Sequence, residues 1–191
     1  MATEKYVGEK IKQIREMKKV SLEELAERSG MDIALIEKIE KGKNVPSLAP
    51  LIKIARALGV RLGTFLDDSD SYGPVLVRSG EHHKGVRFTS QSGETREHLN
   101  FYSLAFDKAG RNMEPFIVDI EPGLQSDYML SSHEGEEFIY VLEGVIEINY
   151  GKEIYKLDKG DSIYLDSIVL HNVHAGNNLS ARILAVVYAP F

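Results

Sequence analysis

The apolar positions of the chain change their spacing about a third of the way along it. Before residue 67, apolar side chains recur at helical spacing, as Val7, Ile11 and Ile14 do, which predicts amphipathic helices. After residue 74, short apolar runs with strand character are separated by turn residues, which predicts antiparallel strands. The pattern therefore predicts a helical unit followed by a β-domain.

Five helices are predicted in the first unit. Side-chain caps precede three of them and glycines follow the same three, which indicates where each begins and ends. The caps are Ser21, Asp32 and Ser47, the glycines are Gly30, Gly42 and Gly59, and the two other helices span 7–18 and 62–66.

Seven strands are predicted in the second unit, and many short strands at regular spacing are typical of an antiparallel barrel or sandwich. The strands span 114–121, 137–142, 145–150, 154–157, 162–165, 169–175 and 181–188. An acidic, Ser-rich segment that ends in Gly73-Pro74 separates the two units. We therefore predict domains at 1–66 and 75–191, joined by a linker at 67–74.

Charge follows the same division. Residues 1–66 carry 13 Lys and Arg against 9 Asp and Glu, whereas 67–191 carry 10 against 20. A basic N-terminal segment followed by an acidic one is typical of a nucleic-acid-binding module fused to another domain. The chain has no Cys, which excludes disulfides and thiolate metal sites. No apolar run approaches the roughly 20 residues of a membrane span, so we expect a cytoplasmic protein with no membrane partner.

The second and third predicted helices, joined by a tight turn at Gly30, form a helix-turn-helix. The segments 21–26, 36–43 and 46–48 resemble the XRE (phage-repressor-like) DNA-binding domain over about 5–66. This resemblance implies that the third helix enters the major groove of double-stranded DNA. The DNA-contacting candidates are Ile33, Ala34, Glu37 and Lys38 on its outward face, and Lys41, Lys43 and Asn44 at its end, where phosphates are the expected partners.

A second constellation lies in the β-domain, where His133 and Glu137 share strand parity and so point to one face of a sheet. His171 lies in another apolar run and can complete that face from a neighbouring strand. Two imidazoles and one carboxylate with open positions are the facial ligand set favoured by non-haem Fe(II). These three residues are the candidate metal ligands.

The spacing from Ser131 through His133 and Glu137 to Gly144, and then from Gly160 to His171, resembles the cupin superfamily. Its first motif usually has a further His where this chain has Ser131. The resemblance implies an α+β chain in two domains: an all-α five-helix XRE helix-turn-helix domain followed by an all-β cupin jelly-roll barrel. The site is then a metal centre (Fe, Zn, Ni or Mn) to which a small molecule chelates, or a metal-free pocket for an organic effector.

An XRE domain followed by one cupin is the layout of many bacterial transcriptional regulators and of the iron-dependent hydroxypropylphosphonic acid epoxidases. The second resemblance makes Arg87 a candidate anion anchor and, with Ser131 and Tyr102, a candidate ligand contact. The leading hypothesis is a DNA-binding regulator that senses a small molecule, as a homodimer or higher homo-oligomer. The alternative is an iron oxidase or epoxidase acting on a small anion, and a metal-free scaffold is a third reading.

Overall fold

Helices occupy the first part of the chain and strands the rest. The structure is a computed structural model that describes residues 2–42, 48–66, 73–81, 87–89, 99–108, 110–122 and 130–190, with the side chains of 2–5 and 87–89 left aside. The helices are α1 (Ala2–Met17), α2 (Leu22–Ser29), α3 (Ile33–Glu40), α4 (Leu48–Ala57) and α5 (Gly63–Leu66). The predicted five-helix domain is therefore confirmed.

The predicted caps of α2 and α3 are present. Ser21 Oγ accepts from the amide of Glu24 at 3.1 Å, and Asp32 Oδ1 accepts from that of Ala34 at 2.8 Å. Gly30 ends α2 in the left-handed conformation. α1 begins at Ala2 rather than at the predicted residue 7, because 2–6 contain helix-forming residues without the apolar period used to predict it. The predicted cap Ser47 lies outside the described residues.

The strands form two antiparallel sheets. Their bounds are β1 (Arg87–Thr89), β2 (Leu99–Ser103), β3 (Met113–Ile120), β4 (Glu136–Glu143), β5 (Val145–Tyr150), β6 (Glu153–Asp158), β7 (Ser162–Asp166), β8 (His171–Ala175) and β9 (Ala181–Tyr188). One sheet has the order β1-β2-β3-β9-β4-β7 and the other the order β6-β5-β8. All seven predicted strands are present, and β1 and β2 are additional to them.

Strand register identifies the inner face of the six-stranded sheet. Glu137 on β4 pairs with Val187 on β9 and with Leu165 on β7, and all three side chains are buried. In the second sheet, the fully buried Ile146 and Ile148 on β5 share a face with Tyr150, which pairs with His171. Both inner faces contribute to one apolar core, so Glu137 and His171 point toward the space between the sheets.

Gly144, the last residue of the first motif, lies in the tight connection between β4 and β5. Its φ is +77°, and a Cβ there would lie 2.6 Å from the carbonyl oxygen of Ser180. Only glycine fits this position without strain. The two strands that it joins, one of which carries Glu137, are thus held close to the chain that leads into β9.

No helix in the described ranges is both long enough and apolar enough to cross a membrane. The described helices all precede residue 67 and the described strands all follow residue 86. Residues 67–72 of the predicted linker lie outside the described residues, so the boundary at 67–74 stays a prediction.

Candidate metal centre and DNA-binding helix

The three predicted metal ligands meet between the two sheets. Glu137 projects inward from β4, and His171 projects inward from the first position of β8. His133 lies just before β4, where its amide donates to the carbonyl oxygen of Ser167 at 3.0 Å. Their exposed fractions are 4% for His133, 8% for Glu137 and 5% for His171. The trio is therefore a buried cluster of ionisable side chains at one end of the barrel.

Backbone carbonyls set the orientation of both imidazoles. His133 Nδ1 lies 3.0 Å from the carbonyl oxygen of Glu134, and His171 Nδ1 lies 2.7 Å from that of Val169. Because a carbonyl oxygen only accepts, each Nδ1 carries a hydrogen and donates it. The Nε2 atoms are thereby turned toward Glu137 Oε1, at 2.7 Å for His133 and 3.5 Å for His171.

The electrostatics of the trio favour a charged carboxylate. Burial alone would raise the pKa of Glu137, but hydrogen bonds with His133 and His171 and attraction to both rings lower it from 4.5 to about 2. Burial also lowers the pKa of His171, but its hydrogen bond with Glu137, attraction to that carboxylate and the hydrogen bond with Val169 together outweigh this and raise the pKa above the ordinary 6.5. The site thus holds an anion that calls for a compensating positive charge.

A divalent cation fits this donor set. The three ligand atoms lie within 4.8 Å of one another, and two atoms that bind one metal at about 2.1 Å are at most about 4.2 Å apart. A small inward movement therefore completes the coordination. A cation would replace the protons that the Nε2 atoms otherwise need beside a buried carboxylate. Imidazole and carboxylate together suit several divalent transition metals.

Two serines adjoin the trio. The predicted contact Ser131 forms an isolated bridge with His171, in which each amide donates to the other residue's carbonyl at 2.9 Å. Ser167 was not predicted: it is fully buried, and its hydroxyl donates to Glu137 Oε1 at 3.3 Å. The sequence carried no clear signal for it, because Ser167 lies in the turn after the end of β7 at Asp166, where strand parity does not apply.

Strand register separates Tyr102 from the trio. Tyr102 pairs with Ile117, whereas its neighbour Phe101 pairs with the inward-facing Val118, so Tyr102 lies on the outer face of the sheet. Arg87 pairs with Tyr102 along the edge strand β1. The structure therefore brings Ser131 to the three candidate metal ligands but does not bring Tyr102 there, and the side chain of Arg87 lies outside the described residues.

The predicted reading face of α3 is on the surface of the helical domain. Ile33 is 39% exposed, and Ala34 and Lys38 are exposed beside it. Glu37 and Lys41 form an ion pair of 2.6 Å one turn apart, so a cation at the helix end balances the acidic residue of this face. The predicted phosphate contacts Lys43 and Asn44 lie outside the described residues.

A buried ion pair that the sequence pattern did not reveal fixes α3 to α1. Arg15 Nε donates to Glu40 Oε1 at 2.6 Å and its Nη2 to Oε2 at 2.9 Å, while Nη1 donates to the carbonyl of Val20. The two side chains are 10% and 6% exposed. Bidentate geometry gives this pair both strength and direction, so it sets the angle at which α3 is presented.

Comparison with known families agrees with both halves of the fold. Residues 11–65 match the helix-turn-helix family, and residues 116–187 match the cupin domain. The chain therefore joins a helix-turn-helix domain to a cupin domain. The second match contains the whole of the candidate metal centre, and the first contains α3.

Individual proteins resemble this chain over nearly its full length. The HTH-type transcriptional regulator PuuR of Escherichia coli is 24% identical over 95% of this chain and 92% of its own. The (S)-2-hydroxypropylphosphonic acid epoxidase of Streptomyces wedmorensis is 28% identical over 94% of this chain and 93% of its own. A crystal structure of a helix-turn-helix regulator from Vibrio cholerae has a TM-score of 0.68 at 20% identity and covers 100% of this chain and 98% of its own, which shows the shared fold.

Proposed function

We propose that the protein is a DNA-binding transcriptional regulator whose cupin domain binds a divalent metal and a small-molecule effector. The observation that carries the proposal is the buried trio of His133, Glu137 and His171 in a chain that also presents α3 on its surface. Ionisable side chains are seldom buried together unless a ligand or a partner compensates them.

The DNA contacts follow from the exposed face of α3. Lys38 is the candidate donor to guanine, and Ile33 and Ala34 are candidates for apolar contact with thymine methyl groups. Glu37 accepts hydrogen bonds and so favours cytosine. Lys41 can contact phosphate after exchanging its bond with Glu37, and Lys43 and Asn44 are further candidates for phosphate contact.

The metal would be held by His133, Glu137 and His171, with Fe, Zn, Ni and Mn as the candidates. When bound, it would supply open coordination positions at which an effector could chelate. Ser167 holds the carboxylate in place, and the carbonyls of Glu134 and Val169 hold the rings. Ser131 lies opposite His171 and remains a candidate contact for the effector, as does Arg87.

We also propose a homodimer in the cytoplasm that forms through the outer face of the six-stranded sheet. Large side chains on this face are exposed: Met113 (61%), Tyr140 (38%), Tyr164 (63%) and Tyr188 (40%). Contiguous exposed apolar surface marks an interaction site, and a two-fold dimer would present two α3 helices to half-sites about 34–36 Å apart. Sedimentation should show a wild-type dimer that Tyr164→Arg shifts toward monomer. A wild type that already sediments as a monomer would contradict this mode of assembly.

One experiment tests the regulatory function. Metal content and binding to genomic DNA fragments are measured on the same purified sample, before and after treatment with a chelator. We expect one metal per chain, sequence-specific retention of DNA, and a change in retention when metal is removed. Glu137→Gln should reproduce the chelated state in a single variant. Retention that ignores both the chelator and this variant would contradict a metal-linked regulator.

The epoxidase resemblance supports a second candidate, an iron-dependent oxidase acting on a small anion. The 28% identity to the epoxidase extends over 94% of this chain and so spans the β-domain that carries the trio. In this reading the iron would supply the oxidation chemistry, and the chain would hold it and exclude water. Stoichiometric iron, oxygen consumption with small phosphonates or carboxylates, and absence of sequence-specific DNA binding would favour this candidate over the regulator.

A further inference from the structure

The helical domain is docked at the end of the barrel that holds the metal centre. Glu114 on β3 pairs with Val187 on β9, which pairs in turn with the metal ligand Glu137 on β4. Glu114 therefore lies in the same layer of the barrel interior as Glu137. Gly63, the first residue of α5, lies directly against the side chain of Glu114. The DNA-binding domain and the metal centre thus share one end of the barrel.

The contact at Gly63 is tight and buried. Arg111 Nε donates to Glu114 Oε2 at 2.7 Å, and the two side chains are 6% and 4% exposed. A Cβ on Gly63 would lie 2.7 Å from Glu114 Oε1 and 3.2 Å from the Arg111 guanidinium. Such packing leaves no room for sliding, so this contact acts as a fixed point between the two domains.

A second contact between the domains is much looser. Arg56, near the end of α4, forms an ion pair with Glu134, and the two side chains are 55% and 41% exposed. Half-exposed ion pairs form and break at little cost. A rotation of the helical domain about the contact at Gly63 would therefore change the Arg56–Glu134 distance first.

Glu134 is directly joined to the metal centre. It follows His133 in the chain, and its carbonyl oxygen accepts the Nδ1 hydrogen of that ligand. Any shift of the Glu134 backbone therefore reorients the His133 ring. On the other side, α4 packs on α2, and α2 packs on α3. The ion pair thus lies between the metal ligand and the helix that is expected to read DNA.

We propose that Arg56 is a positioning residue of the metal centre, supplied by the DNA-binding domain and acting through Glu134 on His133. The proposal rests on the proposed function, because it assigns the route by which metal occupancy and DNA binding influence each other. Linkage makes the effect reciprocal. If bound metal changes the affinity for DNA by some factor, bound DNA changes the affinity for metal by the same factor. An exposed pair of this kind supports a coupling of about two- to fivefold.

The test uses a charge-balanced variant of the full chain. Arg56→Gln alone would leave Glu134 unpaired near a cation and so change the electrostatics, whereas Arg56→Gln with Glu134→Gln keeps the net charge of the pair at zero. The matched control is Glu24→Gln with Arg28→Gln, which removes an ion pair of similar exposure, 42% and 48%, inside α2. Arg56→Lys retains the charge and serves as the conservative rescue.

Two quantities are measured for each variant: the affinity for Zn²⁺ in titration, and the ratio of DNA affinities with and without Zn²⁺. We expect the Arg56/Glu134 double variant to bind Zn²⁺ about two- to fivefold more weakly and its DNA ratio to move toward one. The Glu24/Arg28 control should match the wild type in Zn²⁺ affinity and in the DNA ratio, and Arg56→Lys should lie close to the wild type in both quantities.

The outcomes separate the two levels of the proposal. If the wild type binds no Zn²⁺, or binds DNA identically with and without it, the metal-linked regulator itself is wrong. If the wild type shows both properties and the Arg56/Glu134 double variant retains them in full, only the positioning role of Arg56 is wrong. Equal losses in the double variant and in the Glu24/Arg28 control would also overturn that role, since the effect would then be general to the domain.

Discussion

The two glutamates of α3 provide a direct test of how burial changes the worth of an ion pair. Glu40 receives two hydrogen bonds from Arg15 in a site where both side chains are nearly inaccessible. Glu37 pairs with Lys41 on the surface, with side chains 43% and 59% exposed. Glu40→Gln and Glu37→Gln make the same chemical change on one helix, so the difference between them isolates the effect of burial.

The structure predicts effects of different size. Glu40→Gln removes the hydrogen-bonded counter-charge of the buried Arg15 guanidinium and leaves only the exposed Glu16, 3.7 Å from its Nη2, which costs about 3–5 kcal/mol. Glu37→Gln removes an exposed pair one turn apart, which is worth about 0.3–0.5 kcal/mol. With a urea slope of about 1.5 kcal/mol per molar, the first change lowers the unfolding midpoint by about 2–3 M and the second by about 0.2–0.3 M.

Urea unfolding followed by helical circular dichroism reports the helical domain, because the described remainder of the chain is built from strands and loops. If Glu40→Gln leaves the domain unfolded without urea, Arg15→Met combined with Glu40→Leu should restore folding, since well-packed apolar residues can replace a buried pair. Midpoints for Glu40→Gln and Glu37→Gln that agree within about 0.3 M would refute the reasoning, as would a double variant less stable than Glu40→Gln.

Three further predictions concern the barrel. Gly144→Ala forces a left-handed φ and a clash with Ser180, so a thermal melt should show a loss of about 1–3 kcal/mol; an unchanged melt would contradict the tight turn. Ser167→Ala removes a hydrogen bond to Glu137 and should weaken Zn²⁺ binding at least about tenfold in titration. In protein freed of metal by a chelator, the charged Glu137 contributes fully to the free energy of unfolding above pH 4.5. This contribution is lost as the pH falls toward 2, because the folded pKa of Glu137 is lowered to about 2. The protonated His171 contributes fully to the free energy of unfolding below pH 6.5, and this contribution is lost as the pH rises through its raised folded pKa. Stability against urea should therefore be greatest between these limits, and the maximum should flatten in Glu137→Gln.

Local features of the chain were readable from the sequence. Ser21 and Asp32 cap helices through bonds to amides within three residues of themselves, and such contacts depend only on nearby residues. The inward direction of Glu137 and His171 follows from strand parity and from the apolar neighbours on each strand. The sequence therefore predicted that His133, Glu137 and His171 converge, which the structure shows, while their role as metal ligands stays a prediction.

Features that depend on distant pairing were not readable. β2 is buried at four consecutive positions, so it lacks the alternation that identifies a half-buried strand. The outward direction of Tyr102 follows from its register with Ile117, which no local pattern specifies. Arg15 and Glu40 are separated by 25 positions. Each follows a fully buried isoleucine, Ile11 or Ile36, by four positions, so helical spacing places both on buried faces, but no local pattern specifies that they pair.

The position of β9 has a consequence for the order of folding. This strand lies between β3 and β4 and pairs with both along nearly their whole lengths. Until the ribosome has released Tyr188, those two strands lack their common partner and expose unpaired edges, while the helical domain is already complete. A chain that stops short of β9 would therefore carry a complete helical domain on an open sheet, without the strand that joins the two halves of that sheet beside the proposed metal centre.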